Sequence, residues 1–171
     1  MKALLIIDML NDFVAERGVL FVGPQVQGVI AFSQNILERY RHDGSPVIYV
    51  CDAHRPDDTE FKQFPPHCVE GSWGAQVVEA LQPQEKEVII PKRRFSAFFG
   101  TALDMYLREM EVRELDIVGV CTNICVLYTC AEARMFHYGV RIYREGVTSF
   151  DLAAHEWALQ EMRKTLGAEV I

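Results

Sequence analysis

The stretch LDIVGVCTNICVLYTCAEAR, residues 115–134, contains a strand, a turn and a helix in succession. Its first six residues form a near-continuous apolar run, interrupted only by Asp116, which is typical of a strand covered on both faces of a sheet. A helical pattern follows over residues 123–138, and Gly139 comes directly after it, where helices commonly end. A strand that leads directly into a helix is the repeating unit of a parallel sheet.

The remainder of the chain alternates in the same way. Further apolar runs occupy residues 3–8, 46–52, 87–91, 140–145 and 168–171, and further helical patterns occupy residues 25–44, 75–81, 101–110 and 152–166. Right-handed crossovers between parallel strands put helices on both faces of such a sheet. We therefore predict an α/β fold with three layers, α/β/α, around a six-stranded, mainly parallel sheet. Because no linker or repeat interrupts the pattern, residues 1–171 are predicted to form a single domain.

The composition narrows the classes of partner. Half of the 171 residues are hydrophobic, 24% are charged and the net charge is -7, as in a soluble globular protein. A negative net charge argues against nucleic acid, and the basic cluster at residues 92–94 is too short to change that expectation. The first apolar run is interrupted at Asp8, too early for a signal peptide or a membrane span. We therefore expect a cytoplasmic protein with no membrane partner.

Five cysteines occur in the chain, and none of them forms a C-x-x-C pair. An odd number without that spacing argues against a disulfide framework and against a structural zinc site. Cys121 and Cys125 lie four residues apart after an apolar run, and this spacing leaves two readings open. Both can be small buried hydrophobic residues, or one can be a nucleophile.

The predicted strand ends bring together residue types that carry chemistry. Asp8 ends the first strand, Asp52 the second, Lys92 the third and Cys121 the fourth. Open parallel sheets bind ligands outside the carboxyl ends of their strands. An aspartate after a strand is by itself most often a cap or turn residue, so the combination of two acids, a lysine and a thiol indicates a site.

Cys125 lies near the start of the predicted helix, where Thr122 or Asn123 is a suitable N-cap. A helix N-terminus and a nearby lysine both stabilise a thiolate. Backbone amides at such a turn can also bind an oxyanion. These features suit a nucleophile at Cys125, but the spacing alone fits two buried structural cysteines equally well.

Three segments, ALLIIDMLNDF, PKRRFSAFFGTALDMYLRE and GVCTNICVLYTCAEAR, resemble the isochorismatase-like cysteine hydrolases, and the nicotinamidase branch in particular. The resemblance extends to HEWALQEM in the last predicted helix. It implies a Rossmann-like sheet and a catalytic triad of Asp8, Lys92 and Cys125. It also implies a cis peptide between Val120 and Cys121, and an oxyanion hole built from the backbone amides of Cys121 and Cys125. Asn123 departs from the family pattern, which usually has an aspartate there.

Residues 51–74 carry four candidate metal ligands, namely Asp52, His54, Glu60 and His67. Carboxylate and imidazole ligands suit zinc, manganese or iron, although the spacing alone favours a polar loop with two surface histidines. The resemblance to the metal loop of nicotinamidases implies one divalent metal ion per subunit, with zinc as the first expectation and manganese or iron as alternatives. Asp57 and Asp58 compete with Glu60 for the place of fourth ligand.

The resemblance implies an enzyme that hydrolyses nicotinamide to nicotinate and ammonia through a cysteine thioester. It suggests substrate contacts from Phe13, Phe64, Trp73 and Phe95, each of which is also plausible as a core residue; Phe95 is often tyrosine in relatives. Two alternatives remain open: a metal-free relative acting on isochorismate, a carbamoyl amide or a ureide, and a non-catalytic binding module. The expected partner is a small-molecule amide, and the sequence is compatible with a homo-oligomer.

Overall fold

A computed structural model describes all residues, 1–171, and contains one six-stranded sheet. The strands are β1 (Lys2–Ile7), β2 (Val47–Asp52), β3 (Val88–Lys92), β4 (Glu114–Val120), β5 (Gly139–Thr148) and β6 (Glu169–Val170). Their order in the sheet is β3-β2-β1-β4-β5-β6, and every neighbouring pair is parallel. The predicted α/β fold and its strand count are confirmed.

The order of the strands creates a switch point between β1 and β4. The chain builds outward from β1 through β2 and β3, and then returns to the other side of β1 to build β4, β5 and β6. At this point Ile7 pairs with Gly119, whose backbone has a φ of 128°. A Cβ atom on Gly119 would lie 2.0 Å from the Ile7 carbonyl oxygen, so only glycine allows this approach. Ligands of open parallel sheets bind where the strand order reverses in this way.

Helices cover both faces of the sheet. They are α1 (Asn11–Val14), α2 (Val26–His42), α3 (Leu103–Glu109), α4 (Leu127–Met135) and α5 (Leu152–Lys164). Side chains of β1 alternate between the two faces: Leu4 and Ile6 belong to the core under α2, and Leu5 and Ile7 belong to the core under α3, α4 and α5. None of these helices combines the length and the apolar character needed to cross a membrane.

The predicted helix over 75–81 is wrong. Only a short 3₁₀ turn forms there, at Glu79–Leu81. The Gln76 carbonyl accepts from the Asn11 amide, and the Val78 amide donates to the Met9 carbonyl, so this segment pairs with the loop after β1. Backbone groups that bond to a distant segment are not available for a helix.

The other predicted boundaries shift by a few residues. The pattern over 123–138 starts as a π-helical turn at Thr122–Val126 and ends as α4 at Met135. β5 is longer than the predicted run at 140–145, because a register shift between Ile117 and Gly119 allows its pairing with β4 to continue to Thr148. The sequence does not predict helix α1, since four residues are too few to show a helical period.

Candidate active site

Three side chains meet at the carboxyl end of the sheet beside the switch point. The Lys92 Nζ atom lies 2.8 Å from Oδ2 of Asp8 and 3.5 Å from Sγ of Cys125, and all three residues are buried. Asp8 follows β1, Lys92 ends β3 and Cys125 lies in the turn after β4. The structure therefore brings the predicted triad together from three separate strands.

The carboxylate of Asp8 is held in place by the backbone. Its Oδ1 atom accepts a hydrogen bond of 2.8 Å from the Asp52 amide. Asp8 has a left-handed φ of 51°, a conformation that aspartate tolerates better than most residues. Burial, followed by the charge of Asp52, raises the pKa of Asp8 to about 6, although Lys92 opposes this shift. Asp8 is thus a base whose pKa lies close to neutral pH.

Burial opposes the stabilisation that the helix N-terminus and Lys92 were expected to give a thiolate at Cys125. Burial raises the pKa of the Cys125 thiol well above its ordinary value, and the nearby Lys92 lowers it only in part. Neither Thr122 nor Asn123 caps the turn: the Thr122 hydroxyl lies 2.8 Å from Nδ1 of His155, and Asn123 accepts a hydrogen bond from Ser149. The resting nucleophile is a thiol, so its attack requires a base beside it.

The turn after β4 has the features of an oxyanion hole. The peptide between Val120 and Cys121 is cis, as the resemblance implied. The Cys121 carbonyl accepts from the amides of Ile124 and Val126, whereas the Cys121 amide donates no hydrogen bond within the protein. Cys121 and Cys125 line the same cavity. A substrate oxygen near the Cys125 thiol can therefore be met by a free backbone donor.

Asp52 connects the triad to a second group of polar side chains. Its Oδ1 atom accepts from Lys92 at 2.5 Å, and its Oδ2 atom lies 3.6 Å from Nε2 of His54 and 4.0 Å from Nε2 of His67. One ligand atom from each of Asp52, His54 and His67 lies within 4.8 Å of the others. Oxygen and imidazole donors grouped in this way are suited to a divalent transition metal.

The two imidazole rings are oriented as metal ligands require. Nδ1 of His54 lies 3.1 Å from Oδ2 of Asp58, and Nδ1 of His67 lies 2.8 Å from the Pro65 carbonyl. Both partners accept only, so each Nδ1 donates and a neutral ring keeps its lone pair on Nε2. Nε2 of His54 is buried and has no hydrogen-bond partner. The residues fit a metal ion, because an ion would satisfy the buried nitrogen.

The structure also separates the three acids that compete as the fourth ligand. Glu60 points to the same nitrogen as Asp52, with Oε1 at 3.9 Å from Nε2 of His54. Asp58 bonds the opposite side of the ring, and Asp57 is 73% exposed and pairs with Arg55. Glu60 is therefore the acid placed to complete the set.

A second cluster of potential ligands does not fit a metal ion. Asp8, Asp52 and Cys125 also offer ligand atoms within 4.8 Å of one another. The Lys92 ammonium group already lies at 3.5 Å or less from an atom of each. A second cation there would meet the charge of Lys92 directly.

A narrow cavity leads to the thiol. It is tight and partly open to solvent. Its lining is formed by Phe13, Leu20, Asp52, Glu60, Phe64, His67, Phe95, Cys121, Ile124, Cys125 and Phe150. Of the four predicted aromatic contacts, the structure brings Phe13, Phe64 and Phe95 to the cavity. Trp73 lies outside it, with the guanidinium of Arg17 4.0 Å above its ring.

Sequence reasoning missed the residues that reach the cavity from other elements. Leu20 and Phe150 are in loops with no motif, and Ile124 lies between the two cysteines without a signal of its own. The sequence reasoning named Asp58 only as a possible metal ligand and missed its role as a helix cap. That role did carry a signal, because an aspartate two residues before Glu60 is an N-cap pattern, and the Asp58 side chain accepts a hydrogen bond of 3.0 Å from the Glu60 amide.

Asp12 anchors the candidate metal loop to α1. Its carboxylate accepts from the Cys68 amide at 2.7 Å and from the Val19 amide at 3.3 Å. Cys68 directly follows His67, so this contact fixes the position of a candidate ligand. The carboxylate fits only because residue 74 is glycine: a Cβ atom there would lie 2.0 Å from Oδ2 of Asp12.

We expect Gly74→Ala to lower the free energy of unfolding by about 1–3 kcal/mol, because the methyl group displaces a buried, hydrogen-bonded carboxylate. Gly28→Ala is the matched control. Gly28 lies inside α2 with nothing within 4 Å of its added Cβ, so alanine should stabilise the protein by about 0.5–1 kcal/mol. Urea unfolding of both variants measures the difference, and equal values would contradict the role given to Asp12.

The chain is similar to proteins of known family and structure. The isochorismatase domain family matches residues 2–171. The structure of nicotinamidase/pyrazinamidase PncA from Bacillus subtilis is 35% identical, with a TM-score of 0.94 and coverage of 99% of this chain and 98% of that one. Pyrazinamidase of Pyrococcus horikoshii in complex with zinc is 28% identical, with a TM-score of 0.92 and coverage of 99% and 98%. N-carbamoylsarcosine amidase from Thermoplasma acidophilum is 29% identical, with a TM-score of 0.89 and coverage of 99% and 94%.

Proposed function

The chain belongs to the isochorismatase family of hydrolases, and from that premise we propose that it is a metal-dependent nicotinamidase, which converts nicotinamide to nicotinate and ammonia. The observation that carries this proposal is the composition of the cavity. Aromatic and aliphatic side chains form most of its wall, while a thiol and the candidate metal ligands share its polar part. Such a cavity suits a flat ring that carries an amide on one side and a metal-binding atom on another.

The charged side chains that line the cavity favour an uncharged substrate. No lysine or arginine lines it, and it contains the carboxylates of Asp52 and Glu60. A substrate with its own carboxylate would therefore find no cationic side chain on the cavity wall to pair with. Nicotinamide is uncharged, so it needs no such partner.

Asp52, His54 and His67, with Glu60 as the fourth ligand, are the residues that would hold the metal ion. When bound, a divalent ion would supply a Lewis-acidic site for the ring nitrogen of the substrate. Around that site, Phe13, Phe64 and Phe95 would enclose the ring and exclude water. The chain thereby fixes the amide carbon against the thiol, and correct placement alone accounts for a large part of rate enhancement.

In the first half-reaction, Asp8 accepts the thiol proton while Sγ of Cys125 forms a bond to the amide carbon. The amide oxygen becomes an oxyanion and binds the backbone amides of Cys121 and Cys125. Lys92 holds Asp8 in position through its ion pair. Asp8 then returns the proton to the amide nitrogen, the carbon–nitrogen bond breaks and ammonia leaves, so that a thioester on Cys125 remains.

In the second half-reaction, water attacks the thioester carbon and gives a proton to Asp8. The carbon–sulfur bond breaks, Asp8 returns its proton to Cys125, and the product leaves as a carboxylic acid that gives its remaining proton to solvent and becomes the carboxylate. No net proton stays on the enzyme, and the thiol is restored. A single carboxylate therefore acts as base and acid in alternation.

Comparison of nicotinamide with benzamide tests the substrate assignment. Benzamide has the same shape but lacks the ring nitrogen. We expect kcat/KM for benzamide to be roughly 10²-fold lower than for nicotinamide, because benzamide lacks the ring nitrogen that would position the ring at the metal ion. Ammonia release measures both reactions. Equal turnover of the two amides would contradict the nicotinamidase proposal and leave a general amidase.

A metal-free hydrolase of the same family is the second candidate, and the similarity to N-carbamoylsarcosine amidase is what favours it. Its test uses N-carbamoylsarcosine, an anionic amide, in the same ammonia assay before and after dialysis against a chelator. Hydrolysis of the anionic substrate that survives chelation would favour this candidate. We expect nicotinamide hydrolysis alone, lost on chelation and restored by zinc.

A further inference from the structure

Asp58 makes contacts that neither the triad nor the candidate ligand set explains. It lies in the loop between β2 and β3, yet its side chain is only 4% exposed. Its two oxygens serve different partners: Oδ2 lies 3.1 Å from Nδ1 of His54, and Oδ1 accepts from the Glu60 amide at 3.0 Å. His54 and Glu60 are both candidate metal ligands. One carboxylate therefore contacts two of the residues that would hold the ion.

We propose that Asp58 is the positioning residue of the metal site, setting the ring of His54 with one oxygen and the turn that carries Glu60 with the other. This inference rests on the proposed function, because it requires the metal ion to bind there. The contact with His54 fixes the ring so that Nε2 faces Asp52, 3.6 Å away. The contact with Glu60 caps the 3₁₀ turn Thr59–Lys62, so the Glu60 side chain stays near the same nitrogen.

Arg94 contacts both Asp58 and Glu60. Its Nη1 atom donates to both Asp58 oxygens, at 3.0 and 3.2 Å, and lies 3.7 Å from Oε2 of Glu60. Arg94 follows Lys92 by two residues, at the end of β3. It therefore ties the metal loop to the strand that supplies the triad lysine. Its charge also compensates the buried carboxylate of Asp58, which would otherwise be costly.

The chemistry of the contacts requires a carboxylate at position 58. His54 Nδ1 and the Glu60 amide both donate, so both atoms facing them must accept. Asparagine has one accepting oxygen, and its NH₂ group would meet a donor on one side or the other. Asp58→Asn keeps the shape of the side chain but cannot satisfy both partners.

The experiment measures zinc affinity and not activity. Metal-free protein is titrated with zinc in the presence of a competing chromophoric chelator, and the dissociation constant is compared between variants. We expect Asp58→Asn to weaken zinc binding about 10–100-fold, which is the usual effect of losing a partner of a ligating histidine. Asp57→Asn is the matched control, since Asp57 is 73% exposed and pairs only with Arg55.

Urea unfolding of the metal-free proteins separates positioning from stability. A zinc affinity of Asp58→Asn within about threefold of the wild type would overturn the proposal, whatever its unfolding free energy. If this variant does not fold, Asp58→Ser replaces it: serine can still cap the Glu60 amide but cannot reach His54, and the same weakening is expected. Wild-type protein that binds no zinc would overturn the proposed function as well, so the two failures are distinguishable.

Discussion

Cys125→Ala is expected to lower kcat for amide hydrolysis by at least about four orders of magnitude, because it removes the atom that forms the thioester. Cys125 is 6% exposed and faces the cavity, so alanine leaves a small space and little strain. Steady-state ammonia release measures the loss, and circular dichroism shows whether the variant is folded. Rapid quenching with a labelled substrate should trap an acyl-enzyme in the wild type and none in the variant.

Cys121→Ala is the matched control for this prediction. Cys121 is also buried and lines the same cavity, but we assign it a role through its backbone amide alone. Alanine keeps that amide, so most of the activity should remain. A folded Cys121→Ala protein as inactive as Cys125→Ala would show that the two roles have been assigned wrongly.

Asp8→Asn and Lys92→Ala are each expected to lower kcat by about three to four orders of magnitude, and the double variant should lose little more than either single one. The reason is that Asp8 moves the proton and Lys92, 2.8 Å away, holds it in place, so both act on one step. Losses that add in the double variant would contradict a joint role. Single-turnover measurements at saturating substrate give the comparison.

Two further measurements keep this test specific. Lys92 also pairs with Asp52 at 2.5 Å, so its removal leaves two buried carboxylates without their cation and is expected to cost about 3–5 kcal/mol of stability. Urea unfolding identifies the conditions in which Lys92→Ala is still folded. Metal content, determined in parallel, shows whether the loss of activity comes from the triad or from a disturbed Asp52. Asp8→Asn keeps that ion pair, so its metal content should be unchanged.

Much of the fold could be predicted because the information is local. Near-continuous apolar runs and amphipathic helical patterns involve residues close together along the chain, and they predict six strands in a parallel α/β arrangement. The positions of Asp8, Asp52 and Lys92 at strand ends followed from the same pattern, since the carboxyl ends of parallel strands share one edge. The helix predicted over residues 75–81 is wrong because backbone groups of this segment pair with residues 9–11, and a local pattern cannot reveal such a contact.

The sequence by itself determined which residue types stand at the ends of the strands, and through its motifs which of them form the candidate triad and metal loop. Only the tertiary structure decided how they act on one another. It raised the pKa of Cys125, assigned Glu60 and Asp58 to opposite sides of His54, and left Trp73 outside the cavity. The physical reason is that burial, charge interactions and hydrogen bonds depend on distances between segments far apart in the chain. Those distances are set by the packing of the whole sheet and its helices.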